Sequence, residues 1–436
     1  MTSRSTPALR VALIGTAFMG RAHSHAWRTA PRFFDLPLRP ETTLLVGRDP
    51  DRTRDAADTL GWAEWATDWR EAVARDDIDL IDICVPGDVH AEIAIAALEA
   101  GKNVLCEKPL ARTVEEAARM TAAAEAASAR GVVALCGFSY RRTPALALAR
   151  RFVSEGRLGT IRHIRAQYLQ DWLSSEDAPY TWRLDRETAG SGALGDIGAH
   201  SIDLAQWVSG HEITAVSAQL RTFVGDRPVP DPRRAGDQQS LGGTAAADAP
   251  RRPVTVDDAA AFTATFDGGA LGVFESTRMA LGHRNANRLE VNGDLGSIAF
   301  DFERMNELEY YDGRETRAVG AESDGAVSAG AVDDQAQGFR RIQVTDPGHP
   351  YVDAWWPTGH GLGYEHVFTH QVVDLVRAIA DGTQPRPSFS DALAVQKVLD
   401  AVERSAADRS VLTPVEGSPA STGSAVRTAS TDRTLL

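Results

Sequence analysis

Three polar side chains stand in contexts that favour acid–base chemistry. Lys108 follows the apolar run 103–106, and Asp196 and His200 lie four residues apart in a glycine-rich segment. Residues at this spacing share one face of a helix, and Asp203 lies one turn further along. We therefore predict that this carboxylate and this imidazole lie side by side.

An ammonium, a carboxylate and an imidazole together supply what oxidation of a secondary alcohol requires. His200 is expected to titrate near neutral pH without a large pKa shift, which suits a base. Lys108 would bind the reacting oxygen or take the proton itself, and Asp196 would hold the substrate hydroxyl or orient its neighbours. The sequence leaves open which of Lys108 and His200 takes the proton.

A glycine-rich turn near the N-terminus predicts a dinucleotide site. The apolar run 11–14 leads into Gly15, Ala17 and Gly20, and a helical segment over 21–30 follows. This order of strand, turn and helix places a helix N-terminus against a pyrophosphate. Phe18 and Met19 complete the turn.

The end of the second predicted strand bears on cofactor choice. An acidic residue usually stands there and binds the ribose 2′-hydroxyl, whereas here Gly47 precedes Arg48. Arg48 would accept a 2′-phosphate, which favours NADP(H) over NAD(H). The alternative is that Arg48 is solvated and Asp49 contacts the ribose.

The elements around these residues predict an α/β dinucleotide-binding domain over residues 1–140. Short apolar runs at 9–14, 42–46, 80–85, 103–106 and 132–136 alternate with Ala-rich helical stretches such as 90–100 and 114–130. This alternation indicates a parallel, doubly wound sheet. Lys108 then stands at the carboxyl end of a strand, where such sheets bind ligands.

Residues 141–415 predict an α+β domain with an open, largely antiparallel sheet. A helix over 145–155 precedes strands at 161–169, 215–224, 260–266, 271–278, 288–292 and 297–302, and helices over 363–381 and 391–407 follow. Turns at 267–269 and 292–294 have hairpin composition. The long loop 226–253 is either functional or disordered, and the tail 416–436 is expected to be disordered.

Composition excludes several classes of partner. The formal net charge of −14 argues against nucleic acid and anionic membranes as partners. Three cysteines form no CxxC pair, and the N-terminus lacks the apolar core of a signal peptide, so we expect a cytoplasmic protein. No apolar run approaches the roughly 20 residues of a membrane span.

The motifs resemble those of the Gfo/Idh/MocA family of sugar and polyol dehydrogenases. The matching segments are ALIGTAFMGRAHSHA, EKPLART, GFSYRRTPA, YLQDW, TWRLD and GALGDIGAHSIDLAQW. The resemblance implies a Rossmann domain followed by an α+β domain whose open sheet forms a dimer or tetramer. It also implies that Lys108, Asp196 and His200 are the catalytic residues.

Within the family, the motifs are most similar to those of enzymes that oxidise C3 of a pyranose. The substrate would then be a cyclic sugar, an anhydrosugar or a glycoside. The resemblance implies that the substrate pocket is lined by Tyr140, Gln170, Trp172 and Arg183. It implies further cofactor contacts from Pro86, His90, Glu107, Trp182 and Arg183.

The sequence departs from the family pattern at Gly47–Arg48, at Ser139, where Asn is common, and at 85–88, where Thr-Pro-Asn is usual. Two alternatives within enzymes stay open: an inositol or polyol dehydrogenase, and a keto-sugar reductase. A third alternative is a non-catalytic dinucleotide sensor. His366 and His370 have metal-ligand spacing, but no Glu completes a zinc motif, and we predict no metal.

Overall fold

A computed structural model describes residues 6–230, 248–314 and 337–418, and it confirms the predicted fold class. The strands of the first domain are β1 Ala8–Ile14, β2 Arg39–Val46, β3 Glu64–Ala66, β4 Leu80–Ile83, β5 Asn103–Cys106 and β6 Ala134–Cys136. They form one parallel sheet in the order β3-β2-β1-β4-β5-β6. The order reverses between β1 and β4, which opens a crevice at the carboxyl ends of the strands.

Five helices cover this sheet: α1 Phe18–Phe33, α2 Pro50–Leu60, α3 Trp69–Ala74, α4 His90–Glu99 and α5 Val114–Ser128. Side-chain caps set three of their starts, and Asp68 caps α3 by accepting from the main-chain N–H of Arg70. Asp49 accepts from the main-chain N–H of Arg52 at the start of α2, and Thr113 accepts from that of Glu116 at the start of α5. The sequence analysis missed β3, α2 and α3.

The second domain is built on a larger sheet. Its strands are β7 Ile161–Leu169, β8 Ile213–Arg221, β11 Ala259–Phe266, β12 Leu271–Thr277, β13 Ala286–Gly293, β14 Gly296–Asp301, β15 Glu307–Asp312, β16 Arg340–Gln343 and β17 Thr413–Pro414, while β9 Asp226–Pro228 and β10 Arg251–Pro253 pair separately. The nine strands follow the order β16-β15-β14-β13-β7-β12-β11-β8-β17. Of these described pairs, only β7 and β12 are parallel. Both strands therefore end at the same edge, where Leu169 lies opposite Thr277.

Helices join the two domains. They are α6 Pro144–Ser154, α7 Arg186–Ala189, α8 Ala199–Ser209, α9 Tyr364–Asp381 and α10 Phe389–Ala407. The last two return to the first domain, since α9 packs on α1 and α10 packs between α5 and β8. Buried apolar residues of both domains form one continuous core, so the crevice has a closely packed frame.

Two predicted segments, the loop 226–253 and the tail 416–436, extend beyond the residues that the structure describes. The predicted loop 226–253 begins and ends in the β9–β10 pair, and residues 231–247 between them lie outside the described residues. Residues 419–436 of the predicted tail also lie outside them. Within the described ranges, no helix combines the length and apolarity of a membrane span. Cys84, Cys106 and Cys136 are buried free thiols.

Candidate active site

The turn after β1 has the geometry of a phosphate site. Gly15 has a φ of +119°, which favours glycine, and a Cβ there would lie 2.4 Å from the Cys84 carbonyl oxygen. Ala17 stands before α1 without a side-chain cap, and the first turn of α1 carries no acidic residue. The N–H groups of this turn are therefore available to an anion, and the residues present fit a dinucleotide pyrophosphate.

The segment between β2 and α2 consists of Gly47, Arg48 and Asp49. A Cβ at position 47 would lie 2.4 Å from Oγ1 of Thr53, so any larger side chain there would have to displace Thr53. The Asp49 carboxylate caps α2, which gives it a structural partner 3.0 Å away. Arg48 is exposed, and its guanidinium has no hydrogen-bond or ion-pair partner among the described residues.

The structure brings Lys108 and Asp196 together from the two domains. Lys108 follows β5 and precedes a cis peptide bond to Pro109. Its Nζ donates to the main-chain oxygen of Asp196 at 2.7 Å and lies 3.7 Å from the Asp196 carboxylate. These two predicted site residues are thus in contact with each other.

The segment that carries Asp196 is a widened helical turn. Residues Leu194–Gly198 form a π-helical turn, and α8 begins directly after it. The Asp257 carboxylate anchors this turn by accepting from the main-chain N–H groups of Gly192 and Leu194 at 2.7 and 2.8 Å. Such π-turns occur frequently at functional sites.

Asp203, which was predicted on the same helical face as Asp196 and His200, does not join the site with Lys108. The π-turn alters the spacing, and Asp203 is buried in an ion pair with Arg141, Nη2 to Oδ1 at 2.5 Å. The Asp203 carboxylate thus belongs to the core and not to the site with Lys108.

Three cations surround the Asp196 carboxylate. Arg278 Nη1 lies 3.3 Å from it, Arg183 Nε lies 3.9 Å away, and Lys108 is the third. Burial acts to raise the pKa of Asp196, but the three cations outweigh it and lower that pKa to about 2. Asp196 is therefore a permanent anion in a cationic setting.

The sequence analysis missed Arg278, which is fully buried at the end of β12. A fully buried arginine that follows an alternating strand carries no local signal of its function. Only the parallel pairing of β7 and β12 shows that Arg278 shares an edge with Gln170 and Trp172. Its guanidinium carbon lies 5.6 Å from the centre of the Trp172 ring.

His200 is buried among aromatic rings. Its ring stacks on that of Tyr140 at 4.3 Å and meets the edge of Phe138 at 5.9 Å. Burial lowers the pKa of His200 well below its ordinary value, and Lys108 adds to this effect more than Asp196 offsets it. The expectation of a pKa near neutrality was therefore wrong, because the sequence does not reveal burial.

The neutral His200 ring has one unprotonated nitrogen that is free to accept a hydrogen bond. Among the described residues, neither of its nitrogens has a hydrogen-bond partner. The side chain is 6% exposed, so that solvent or a ligand reaches it only at its edge. A neutral imidazole in this state can accept a hydrogen bond from a bound hydroxyl group.

A chain of hydrogen bonds connects the predicted substrate residues. Tyr140 and Tyr168 share a bond of 2.8 Å between their hydroxyl groups, and Tyr168 donates to Asn285 at 2.8 Å. Gln170 also donates to Asn285 at 2.8 Å, and Trp172 donates to Gln170 at 2.9 Å. These hydrogen bonds connect Tyr140, Gln170 and Trp172, and they also include Tyr168 and Asn285.

Two predicted cofactor residues face inward. His90 is 2% exposed, with Nε2 2.9 Å from the Val85 carbonyl and Nδ1 3.1 Å from that of Pro109. Glu107 is 5% exposed, and its carboxylate lies against His23 in the interior. These side chains support the crevice from behind.

The other predicted cofactor residues lie nearer the crevice. Pro86 is half-buried before the turn Gly87–Val89, and Trp182 is half-buried beside Arg183, whose guanidinium carbon lies 4.5 Å from its ring centre. Phe18 is 43% exposed and stacks on Tyr364 at 6.0 Å.

The helical pair His366 and His370 serves packing. His370 contacts the Arg142 carbonyl through Nδ1 at 3.0 Å and accepts from Trp355 through Nε2 at 2.7 Å. Burial lowers the pKa of His370 to about 3. Both ring nitrogens are thus already used, and this pair is no metal site.

Two family models match the chain. Residues 9–135 match "Oxidoreductase family, NAD-binding Rossmann fold", and residues 146–299 match the "GFO/IDH/MocA C-terminal domain". The chain belongs to the Gfo/Idh/MocA family of oxidoreductases. This result confirms the predicted family and the predicted enzyme class.

Individual members of the Gfo/Idh/MocA family match most of the chain. Levoglucosan dehydrogenase of Pseudarthrobacter phenanthrenivorans is 40% identical over 92% of this chain and 97% of its own length. The crystal structure of an oxidoreductase domain protein from Kribbella flavida has a TM-score of 0.84 and 56% identity, and it covers 94% of this chain and 99% of its own. A levoglucosan dehydrogenase in complex with NADH and levoglucosan has a TM-score of 0.81 and 38% identity, with 94% and 100% covered.

The pKa of His200 gives a first prediction. Because the folded enzyme keeps this ring neutral, the pH profile of kcat/KM is expected to show no limb from His200 near about pH 6.5. His200→Asn should lower kcat by about 10²- to 10⁴-fold without changing the shape of the profile there. Steady-state kinetics over pH measures both effects. A limb near that pH that disappears in the variant would contradict this assignment.

Proposed function

We propose that this enzyme oxidises a secondary hydroxyl group, at C3, of a cyclic sugar, anhydrosugar or glycoside. The observation that carries the proposal is the meeting of Lys108, Asp196 and neutral His200 beside a nucleotide turn. The relatives named levoglucosan dehydrogenase support an anhydrosugar in particular.

The nicotinamide cofactor, when bound, accepts the hydride from the carbinol carbon. The Lys108 ammonium donates a hydrogen bond to the reacting oxygen and stabilises negative charge that develops there. Lys108 is already engaged as a donor to Asp196, whereas His200 has a free lone pair. We therefore assign the hydroxyl proton to His200, and the balanced products are a ketone, the reduced cofactor and one proton.

The pocket wall fits a sugar ring. Trp172 and Tyr140 present aromatic surfaces, and Gln170 and Asn285 add amide groups that exchange hydrogen bonds with hydroxyl groups. The net positive charge around Asp196 lowers the free energy of an alkoxide more than that of the neutral alcohol. These features favour oxidation of a polyhydroxylated ring.

The alternatives differ in measurable ways. An inositol or polyol dehydrogenase would prefer a carbocycle or an open chain over a pyranose, and a keto-sugar reductase would work faster with reduced cofactor. A dinucleotide sensor would bind NADH without turnover of any sugar. The relatives' names, which are dehydrogenases and reductases, favour an enzyme.

A substrate panel tests this proposal. Levoglucosan, glucosides, glucose and inositols are assayed with NAD and NADP through the absorbance of the reduced nicotinamide. We expect turnover of a pyranose or anhydrosugar, and Lys108→Met should lower kcat by about 10²- to 10³-fold with little change in the Kd for NADH. The control is Lys397→Met, a half-buried lysine on α10. Tight NADH binding with no turnover across the panel would instead support the sensor.

We further propose that Arg48 favours NADP(H), although NADH is also accepted. Its exposed guanidinium is free to bind a 2′-phosphate, and Gly47 places no carboxylate there that would repel that phosphate. The relatives solved with NADH support acceptance of that cofactor.

Arg48→Ala is accordingly expected to raise the Kd for NADPH by about tenfold while that for NADH changes little. Arg52→Ala, which removes an exposed arginine on the adjacent helix α2, provides the matched control. Fluorescence titration with each reduced cofactor measures the effect. Equal losses for both cofactors would rule out contact with the 2′-phosphate.

We also propose a homo-oligomer, a dimer or tetramer, formed through the outer face of the nine-stranded sheet. Leu271 and Val273 project from β12 on that face and are 46% and 48% exposed. They lie among polar neighbours such as Arg165 and Glu290. Apolar residues within a polar surround are typical of an interface.

Val273→Asp should therefore reduce the mass measured by size-exclusion chromatography with light scattering, because a carboxylate would be desolvated in the interface. Leu281→Asp changes a residue that is 79% exposed beyond the end of β12 and should leave the mass unchanged. A wild-type monomer at micromolar concentration would refute the proposed assembly.

A further inference from the structure

A carboxylate lies in the interior of the parallel sheet. Asp82 is part of β4, whose other residues are apolar and buried, and its side chain has no exposed surface. A buried carboxylate destabilises a protein unless it is paired. Asp82 accepts hydrogen bonds from His23 Nδ1 at 2.9 Å and from Trp27 Nε1 at 2.7 Å, two residues one turn apart on α1.

The second nitrogen of His23 faces another carboxylate. Nε2 lies 3.1 Å from Oε1 of Glu107, and the ring is 1% exposed beneath Phe368. Only an imidazolium donates from both nitrogens at once. Burial acts to lower the pKa of His23, but Asp82 and the neighbouring Cys84 outweigh it and raise that pKa well above its ordinary value.

Glu107 also contacts the main chain of Lys108. Its other oxygen, Oε2, accepts from the main-chain N–H of Lys108 at 3.3 Å. A Cβ at Gly137 would lie 2.6 Å from Oε1, so glycine at that position makes room for the carboxylate. Asp82, His23 and Glu107 therefore form a continuous buried chain that ends at the main chain of Lys108.

Direct hydrogen bonding explains this cluster better than a metal ion. His23, Asp82 and Cys84 offer ligand atoms within 4.8 Å of one another. A tetrahedral zinc ion with ligands at about 2.0–2.1 Å would hold those atoms further apart than the 2.9 Å between Nδ1 and Oδ1. Asp82 also accepts from Trp27 and from the Cys84 thiol, so its oxygens already have donors.

We propose that His23 is a positioning residue for Lys108: as an imidazolium between Asp82 and Glu107, it fixes the Glu107–Lys108 main chain so that Nζ reaches Asp196. This inference rests on the proposed catalytic role of Lys108. The helix α1, which begins at the nucleotide turn, then also supports Lys108.

Two measurements that do not depend on enzymatic activity test whether His23 positions Lys108. With ¹⁵N-labelled histidine, one ring should carry protons on both nitrogens from about pH 6 to about pH 9, and this signal should be absent in His23→Asn. Crystal structures should show Lys108 Nζ displaced from the Asp196 carbonyl in His23→Asn but not in His25→Asn. His25 is exposed on the same helix, and its ring shares a hydrogen bond with the Thr29 hydroxyl and contacts neither Asp82 nor Glu107 among the described hydrogen bonds. A neutral His23, or an undisplaced Lys108, would overturn the proposal.

Kinetics test the consequence for the reaction. His23→Asn should lower kcat by about 10- to 100-fold with little change in the KM for the cofactor, and His25→Asn should match the wild type. Without the imidazolium, the buried carboxylates of Asp82 and Glu107 lose their shared cation. The other ionisable groups that act on them are the thiols of Cys84, Cys106 and Cys136 and the phenols of Tyr140 and Tyr364, whose pKa values are all raised by burial. None of these groups supplies a positive charge, so one of the two carboxylates should take up a proton. A new acid limb in the pH profile is therefore expected, which a purely structural loss of packing does not produce.

A double variant shows whether His23 acts through Glu107. Glu107→Gln removes the unpaired charge, so His23→Asn with Glu107→Gln should lose the acid limb and be no slower than His23→Asn alone. Additive losses of the two single variants would mean that His23 acts elsewhere. If the wild type oxidises no sugar of the panel, the proposed function fails, while the ring protonation and the position of Lys108 still decide the present inference.

Discussion

The contact between Lys108 and Asp196 is the interaction on which this structure depends. It joins the end of a strand in one domain to a π-turn in the other, and both partners are largely withdrawn from water. A buried carboxylate stays ionised only when cations compensate its desolvation. Here Lys108, Arg183 and Arg278 come from three separate segments, so the charge balance of the site requires the two domains to be correctly packed.

Packing of the late helices meets this requirement. Because α9 lies on α1 and α10 lies between α5 and β8, the chain returns from the second domain to the first after β16 and before the last strand of the large sheet, β17. The apolar core is continuous across the domains. The relative position of Lys108 and Asp196 is therefore fixed by core packing and not by a flexible linker.

Most of the fold could be predicted from the sequence, because buried strands have continuous apolar runs. The bounds of β5 and β7 agree with the prediction, and the hairpin turns after β11 and β13 are present. The short strand β3 and the helices α2 and α3 escaped prediction because few of their residues are buried. The parallel pairing of β7 with β12 could not be predicted, since it depends on partners over 100 residues apart.

The residues of the site also fall into two groups, those that could be identified from the sequence and those that could not. Lys108, Asp196, His200, Tyr140, Gln170 and Trp172 could be identified because each stands in a motif. Arg278, Asn285 and the pairing of His23 with Glu107 could not, since only tertiary contacts define them. The pKa of His200 depends on burial and on the charge of Lys108, and neither is encoded locally.

The chain of hydrogen bonds from Tyr140 to Trp172 has a consequence for how such an enzyme diversifies. Tyr168, Gln170, Trp172 and Asn285 come from β7 and the segments beside it, whereas Lys108, Asp196 and His200 come from other elements. Substitutions at Gln170, Trp172 and Asn285 therefore change the shape that a ligand meets, whereas the ring of Tyr168 lies 6.0 Å from that of His200 and is coupled to the second group. Under the proposed function, substrate range can drift in evolution at these three positions while Lys108, Asp196 and His200 are retained, and enzyme engineers have the same freedom there.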